Sequence, residues 1–90
     1  MNQELKGVHS DDHIQAMLGL SELSEEERFE LGHTFNSIYL HSTTTNCALM
    51  AAGSVVEATR WVVDGRVRNA VAVVRPPGHH AEVGCIYDVL

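Results

Sequence analysis

Two adjacent histidines, His79 and His80, are the residues of this 90-residue chain best suited to chemistry. An imidazole takes and gives protons near neutral pH, and two neighbouring rings can be held in different protonation states. Such a pair suits hydrolysis, in which a water loses a proton and a leaving amine gains one. It suits metal chelation less well, because metal-binding histidines usually come at helical or loop spacing with further ligands. The alternative is a solvated turn that contains two histidines by chance.

The segment before the histidines predicts how they are positioned. Residues Asn69–Val74 form a short apolar run without alternation, which is typical of a strand buried on both faces of a parallel sheet. Functional loops of open α/β sheets follow the carboxyl ends of such strands. Pro76 and Pro77 restrict the exit of the chain, and Gly78 allows a sharp turn or a close approach to a ligand. The histidines are therefore predicted to face a pocket at the edge of a sheet.

The rest of the sequence supplies the partners of this strand. Thr34–Leu40 is rich in β-branched and aromatic residues and is predicted to be a strand. Asn46–Val63 is predicted to be the longest helix, with Asp64-Gly65 as its stop. Together these elements predict an α/β fold with one β-α-β unit of a parallel sheet. Because two strands cannot cover each other on both faces, the unit is predicted to be incomplete. The isolated chain is therefore predicted to be marginally stable or unfolded.

A helical lead-in is predicted before this unit. One helix spans Ser10 to Leu18, and a second begins at Ser24, whose spacing from Glu27 is that of a capping box, and stops at Gly32. Cys47 is predicted to be a small core residue, whereas the scattered histidines are predicted to lie at the surface or at caps: His9, His13, His33 and His41.

The charge of the chain excludes some functions. Its net charge is −6, and the stretch from Met1 to Thr45 holds eight acidic and two basic residues. A negative charge opposes direct binding of a nucleic-acid backbone. The acidic stretch is either a surface that binds a basic peptide or a face that is only solvated. No run of about 18 apolar residues predicts a membrane span, and no signal peptide is readable. Two cysteines are too few for a disulfide framework. A nuclear or cytoplasmic location is therefore expected.

Several strings together resemble one enzyme family. Arg75-Pro76-Pro77-Gly78-His79-His80-Ala81-Glu82 resembles the twin-histidine motif of the class II zinc-dependent histone deacetylases, which have the arginase/deacetylase fold. The class IIb type, which includes tubulin deacetylases, is the most similar. The other matching strings follow the family's order and extend the resemblance over residues 8–82: Val8-His9-Ser10, Phe35-Asn36-Ser37-Ile38-Tyr39-Leu40, Ala51-Ala52-Gly53-Ser54-Val55-Val56 and Asn69-Ala70-Val71-Ala72-Val73-Val74.

The resemblance implies roles for a few residues. His80 would be the general base and then the general acid, and His79 would act mainly as an electrostatic stabiliser. Ser37 falls where class IIb members place a residue that hydrogen-bonds the acetyl-lysine substrate, although a strand-end serine bonded to its own backbone is an equal alternative. Gly78 is expected to contribute to substrate binding. The substrate would be N6-acetyl-lysine in histones or in cytoplasmic proteins such as tubulin, without direct binding of nucleic acid or membrane.

The chain departs from the family in two respects. The tail 83–90 diverges from the family's glycine-phenylalanine-cysteine segment. The zinc of the parent family is bound by two aspartates and a histidine further downstream, so no metal ligand is expected in these 90 residues. The chain is accordingly predicted to be the N-terminal part of a deacetylase domain that is inactive by itself. Two alternatives stay open: a non-catalytic truncated isoform or interaction module, and a fragment of an acetylpolyamine amidohydrolase.

Overall fold

The computed structural model describes residues 2–35 and 38–78. Four α-helices and one 3₁₀ helix follow each other in this part of the chain: α1 (Asn2–Lys6), α2 (Asp11–Leu18), the 3₁₀ helix η1 (Leu20–Glu22), α3 (Glu25–His33) and α4 (Thr44–Val63). None of these helices is both long enough and apolar enough to cross a membrane.

The predicted starts of α2 and α3 are confirmed by their capping contacts, whereas α4 begins at Thr44, two residues before the predicted Asn46. Ser10 caps α2, because its side chain accepts a hydrogen bond from the amide of His13. At α3 the Ser24 hydroxyl accepts from the amide of Glu27 at 3.1 Å, while the Glu27 carboxylate accepts from the amide of Ser24 at 3.3 Å. This reciprocal pair is a capping box and satisfies two amides that the helix itself cannot. Helix α3 ends at His33, one residue beyond the predicted stop at Gly32.

The core lies where α2, η1 and α4 meet. Met17, Leu20, Leu40 and Ala48 form a buried apolar cluster, and partly buried side chains extend it: Leu23, Leu31, Phe35 and Ile38. The hydroxyl of Thr45 donates a hydrogen bond to the main-chain carbonyl of Met17 inside this cluster. Small residues on α4 permit this close packing, because Ala48 and Ala51 are both buried.

The long helix α4 is covered along only part of its predicted apolar side. Ala48 and Ala51 in its first half are buried, whereas Val55 and Val62 further along are exposed. Cys47 is exposed as well, so its predicted place in the core is wrong. It precedes Ala48 and is rotated from it by about 100° around the helix, which turns its thiol away from the packed side.

The predicted β-α-β unit is not confirmed in the described residues. No strand is present in 38–43 or 64–78, Thr34 is the C-cap of α3, and part of the first predicted strand, Asn36 and Ser37, lies outside the described residues. Val71 and Val73 of the second predicted strand are 89% and 93% exposed. A strand requires a neighbouring strand to pair its amides and carbonyls, and these residues provide no such neighbour.

Candidate functional site

The predicted catalytic loop is described up to its glycine. Gly78 has a φ of 84°, in the left-handed region that glycine adopts without steric cost, and the Arg75–Pro76 peptide bond is cis. The backbone at Gly78 thus has a conformation that glycine favours, while its predicted substrate-binding role stays a prediction. His79 and His80 lie outside the described residues, as does Ser37, so their predicted catalytic and substrate-binding roles stay predictions.

Helix α4 positions the start of this loop. Val74, Pro76 and Pro77 line a small cavity of about 70 Å³ together with small residues of the helix, namely Ala48, Ala51, Ala52 and Val55. The apolar segment 74–77 thus lies against the N-terminal half of α4, where the alanines are. Residues 74–77, which precede the two histidines in the sequence, are held by this apolar contact, although the described part of the chain contains no strand.

A larger cleft lies between α3 and residues 38–42, and sequence reasoning missed it. We call it the α3 cleft; its volume is about 640 Å³, and its lining includes Glu25, Phe29, His33, Tyr39 and His41. Phe29 is 67% exposed, and Tyr39 is 79% exposed. The sequence signal available for this cleft was the acidic first turn of α3 close to the aromatic residues Phe29 and Tyr39.

Gly32 allows the two sides of the α3 cleft to approach each other. A Cβ at this buried position would lie 3.3 Å from the carbonyl oxygen of Ile38 and 4.0 Å from Cγ of Leu40. Such a contact with main chain is tighter than ordinary van der Waals distance. The missing side chain of Gly32 therefore lets the backbone of 38–40 pack directly on the end of α3.

Two histidines near the N-terminus differ from the surface placement expected for them. His13 is buried and His9 half-buried, with their ring centroids 4.9 Å apart. The Nδ1 atom of His9 is buried without a hydrogen-bond partner. Burial, and secondarily the charge of His13, lowers the pKa of His9 below its usual value of about 6.5. The other two histidines, His33 and His41, are exposed as expected.

The described residues do not form a metal site. Within 2–35 and 38–78 there is no group of three or more histidine, cysteine or carboxylate side chains that could hold a metal ion. The zinc implied by the resemblance therefore does not fit the residues described.

Comparisons with known proteins identify the family. The family model described as histone deacetylase domain matches residues 1–86. The chain is 37% identical over 81 residues to histone deacetylase HDA1 of Candida albicans, covering 90% of this chain and 10% of that protein. It is 41% identical over 80 residues to histone deacetylase clr3 of Schizosaccharomyces pombe and 39% identical over 80 residues to polyamine deacetylase HDAC10 of Mus musculus; each match covers 89% of this chain and 12% of the relative.

The chain thus spans about a tenth of the length of these relatives. The match nevertheless extends from α1 beyond the twin-histidine loop, and it includes every segment on which the class II resemblance depends. The chain belongs to the histone deacetylase domain family.

Proposed function

We propose that this chain is the N-terminal part of the catalytic domain of a class II lysine deacetylase. The protein that contains the whole domain would hydrolyse N6-acetyl-lysine in histones or in cytoplasmic proteins, tubulin among them, and release acetate in the nucleus or the cytoplasm. The observation that carries the proposal is the loop Arg75–His80 inside a segment matched by the histone deacetylase domain model.

The histidines would carry the proton transfers of this reaction. The imidazole of His80 would accept a proton from the attacking water and return it to the nitrogen of the leaving lysine amine. His79 would stabilise the charge that develops beside it. The left-handed conformation of Gly78, directly before the pair in the sequence, supports this arrangement, because such a conformation allows the backbone to turn there. Ser37 would hydrogen-bond the substrate near the acetyl-lysine.

Zinc enters this proposal only through residues outside the described part of the chain. In the parent family it would supply Lewis-acid chemistry at the scissile amide. No described residues form a group that fits it, and the roles given to His79 and His80 involve only proton transfer and charge. The complete active centre would therefore combine this loop with ligands contributed by later parts of the domain.

The two predicted strands would form only in that larger domain. The valines of the segment 69–74 are exposed here, although their type and sequence are those of a strand covered on both faces. Hydrogen-bonding neighbours and covering helices from the rest of the domain would turn 34–40 and 69–74 into adjacent parts of a parallel sheet. This would complete the arginase/deacetylase fold that the family implies.

Substitution of the histidines in a protein that carries the whole domain tests the catalytic proposal. His80→Ala should lower the rate of acetate release from an acetyl-lysine peptide by at least about 100-fold, the usual effect of losing a general acid-base group. His79→Ala should lower it less. His33→Ala is the matched control, because His33 is exposed on α3. Full activity of the His80→Ala variant would contradict the proposal and favour the non-catalytic alternative.

A second candidate substrate is an acetylated polyamine. It is favoured by the similarity to a protein named polyamine deacetylase, 39% identical over 80 residues. Comparing kcat/KM for an acetyl-lysine peptide and for an N-acetylated polyamine, on the same whole-domain protein, separates the two. A preference of tenfold or more for the polyamine would replace the lysine substrate while leaving the roles of His79 and His80 in place.

A further inference from the structure

We propose that Ala51 is a positioning residue for the twin-histidine pair, because its small side chain sets how closely the segment 74–77 approaches α4. The inference rests on the proposed function, since Ala51 acts on the proton transfers proposed for His79 and His80. It adds to that function a residue of a different element, far from the pair in the sequence.

The contact between α4 and the segment 74–77 is apolar on both sides. It leaves a cavity of about 70 Å³, whose two walls are formed by Ala48, Ala51, Ala52 and Val55 of α4 and by Val74, Pro76 and Pro77 of the segment. The α4 residues recur at helical spacing and therefore share one face of the helix. Because most of them are alanines, the segment can approach α4 closely.

Ala51 is the residue of this face that is best placed to act on the segment. It is 5% exposed, whereas Val55 is 44% exposed and Ala52 is half-buried. Ala48 is buried too, but it belongs to the apolar cluster where α2, η1 and α4 meet, so a change there disturbs the core. Ala51 is not part of that cluster. A larger side chain at this position therefore presses on the segment 74–77 rather than on the core.

The loop can pass a displacement at this contact on to the histidines. Proline rings hold φ near −65°, so Pro76 and Pro77 have little rotational freedom with which to absorb a shift. Gly78 follows them with a φ of 84°. His80 is two residues further along the chain, so its Cα atom is at most about 7 Å from that of Gly78. A displacement of Pro77 is therefore expected to displace the imidazoles as well.

The size of the cavity determines which side chains the contact tolerates. A volume of about 70 Å³ is roughly the share of two water molecules in the liquid. Serine adds only a hydroxyl at position 51, which can donate to the carbonyl one helical turn earlier, and it fits this space. Leucine adds an isopropyl group and exceeds it. Overfilling a packed region forces backbone shifts, and the irregular segment 74–77 yields before the hydrogen-bonded helix does.

The kinetic test uses a protein that carries the whole domain and an acetyl-lysine peptide as substrate. Ala51→Leu should lower kcat about ten- to a hundredfold, because a displacement of about 1 Å at catalytic groups has an effect of this size. KM should change by less than about twofold, since the substrate-binding contacts are not altered. Ala51→Ser should keep kcat within about twofold of the original protein.

The matched control is Ser54→Leu, which introduces the same side chain at an exposed position of the same helix and should leave kcat unchanged. Circular dichroism measures the folded fraction of each variant, so that a loss of folded protein is not counted as a loss of kcat. An unchanged kcat in Ala51→Leu, or an equal loss in Ser54→Leu, overturns the proposal. So does a rise in KM that accounts for the whole effect.

A compensating substitution separates positioning from simple destabilisation. Val74 lies on the opposite wall of the cavity, so Val74→Ala removes volume where Ala51→Leu adds it. Because the two residues share one cavity, their effects should not be additive. The double variant should recover kcat at least about threefold relative to Ala51→Leu alone. A double variant with kcat no higher than that of Ala51→Leu contradicts the proposal.

The 90-residue chain gives a readout that needs no activity. The amide resonance of Gly78 should shift in Ala51→Leu and stay in place in Ser54→Leu; an unshifted resonance in Ala51→Leu overturns the proposal. Failure of the proposed function is recognised separately, because His80→Ala would then keep full activity in the whole domain, and the role of Ala51 in proton transfer would end with it. Loss of activity in His80→Ala together with an unchanged kcat in Ala51→Leu overturns the inference on Ala51 alone.

Discussion

The hydroxyl of Thr45 donates a hydrogen bond to the main-chain carbonyl of Met17, which lies 28 residues earlier in the sequence. Both residues are buried, and the bond joins the first turn of α4 to the last turn of α2. The carbonyls at a helix C-terminus have no partner within the helix. This contact therefore satisfies a buried acceptor and at the same time fixes the start of α4 against the core.

Removing this hydroxyl should destabilise the helical core. Thr45→Val keeps the shape of the side chain but leaves the Met17 carbonyl buried without this donor, at a cost of about 1–3 kcal/mol. Thr45→Ser, which retains the hydroxyl, is the matched control and should cost less. Urea denaturation of the chain followed by circular dichroism measures both. A Thr45→Val variant as stable as the original chain would show that the bond contributes nothing.

The capping box of α3 should contribute to stability in the same assay. Ser24→Ala removes the acceptor of the Glu27 amide and should cost about 1 kcal/mol. Ser21→Ala, at an exposed serine of η1, is the control and should change stability by less than about 0.5 kcal/mol. Equal effects of the two substitutions would argue against a specific cap.

Acidification should destabilise the N-terminal helices through His9. Because burial and then the charge of His13 lower the pKa of His9, the unfolded chain binds more protons than the folded chain once the pH falls below about 6.5. The stability from neutral His9 is fully present above that pH and is lost as the pH falls through the lowered folded-state pKa. The urea midpoint should therefore decrease between pH 8 and pH 5.5.

The matched variants for this prediction are His9→Leu and His33→Leu. The first should flatten the pH dependence, because it removes the half-buried imidazole, while the second, at an exposed position on α3, should preserve it. An identical pH dependence in all three chains would assign the effect to other groups.

The exposed valines should behave differently in the isolated chain and in the whole domain. Val71→Asp in the 90-residue chain replaces a side chain that is 89% exposed, so its free energy of unfolding should change by less than about 0.5 kcal/mol. In a protein with the whole domain, the same change would bury an unpaired charge in the proposed sheet and should cost more than about 3 kcal/mol. Val71→Thr is the milder control. Tolerance of aspartate in the whole domain would contradict the proposed strand.

Local signals in the sequence determined α2, α3, the end of α4 and the family. Ser10 and Ser24 mark helix starts because the capping contact is made within three residues, and Asp64-Gly65 marks the end of α4 for the same reason. The twin-histidine string and the segments before it were sufficient to predict the histone deacetylase family. The positive φ of Gly78 agrees with the conformational freedom expected of a glycine at this position, because positive φ is a property of a single residue.

Tertiary structure alone decided which apolar residues are covered. Ala48 and Val55 both belong to the predicted apolar side of α4, but only Ala48 contacts η1 and α2 and is buried. The valines at 71 and 73 have the composition of a buried strand and yet lie exposed, because burial and strand pairing both depend on distant parts of a chain. The α3 cleft also depends on tertiary structure, because its walls, α3 and residues 38–42, become one surface only when Gly32 meets the backbone of Ile38.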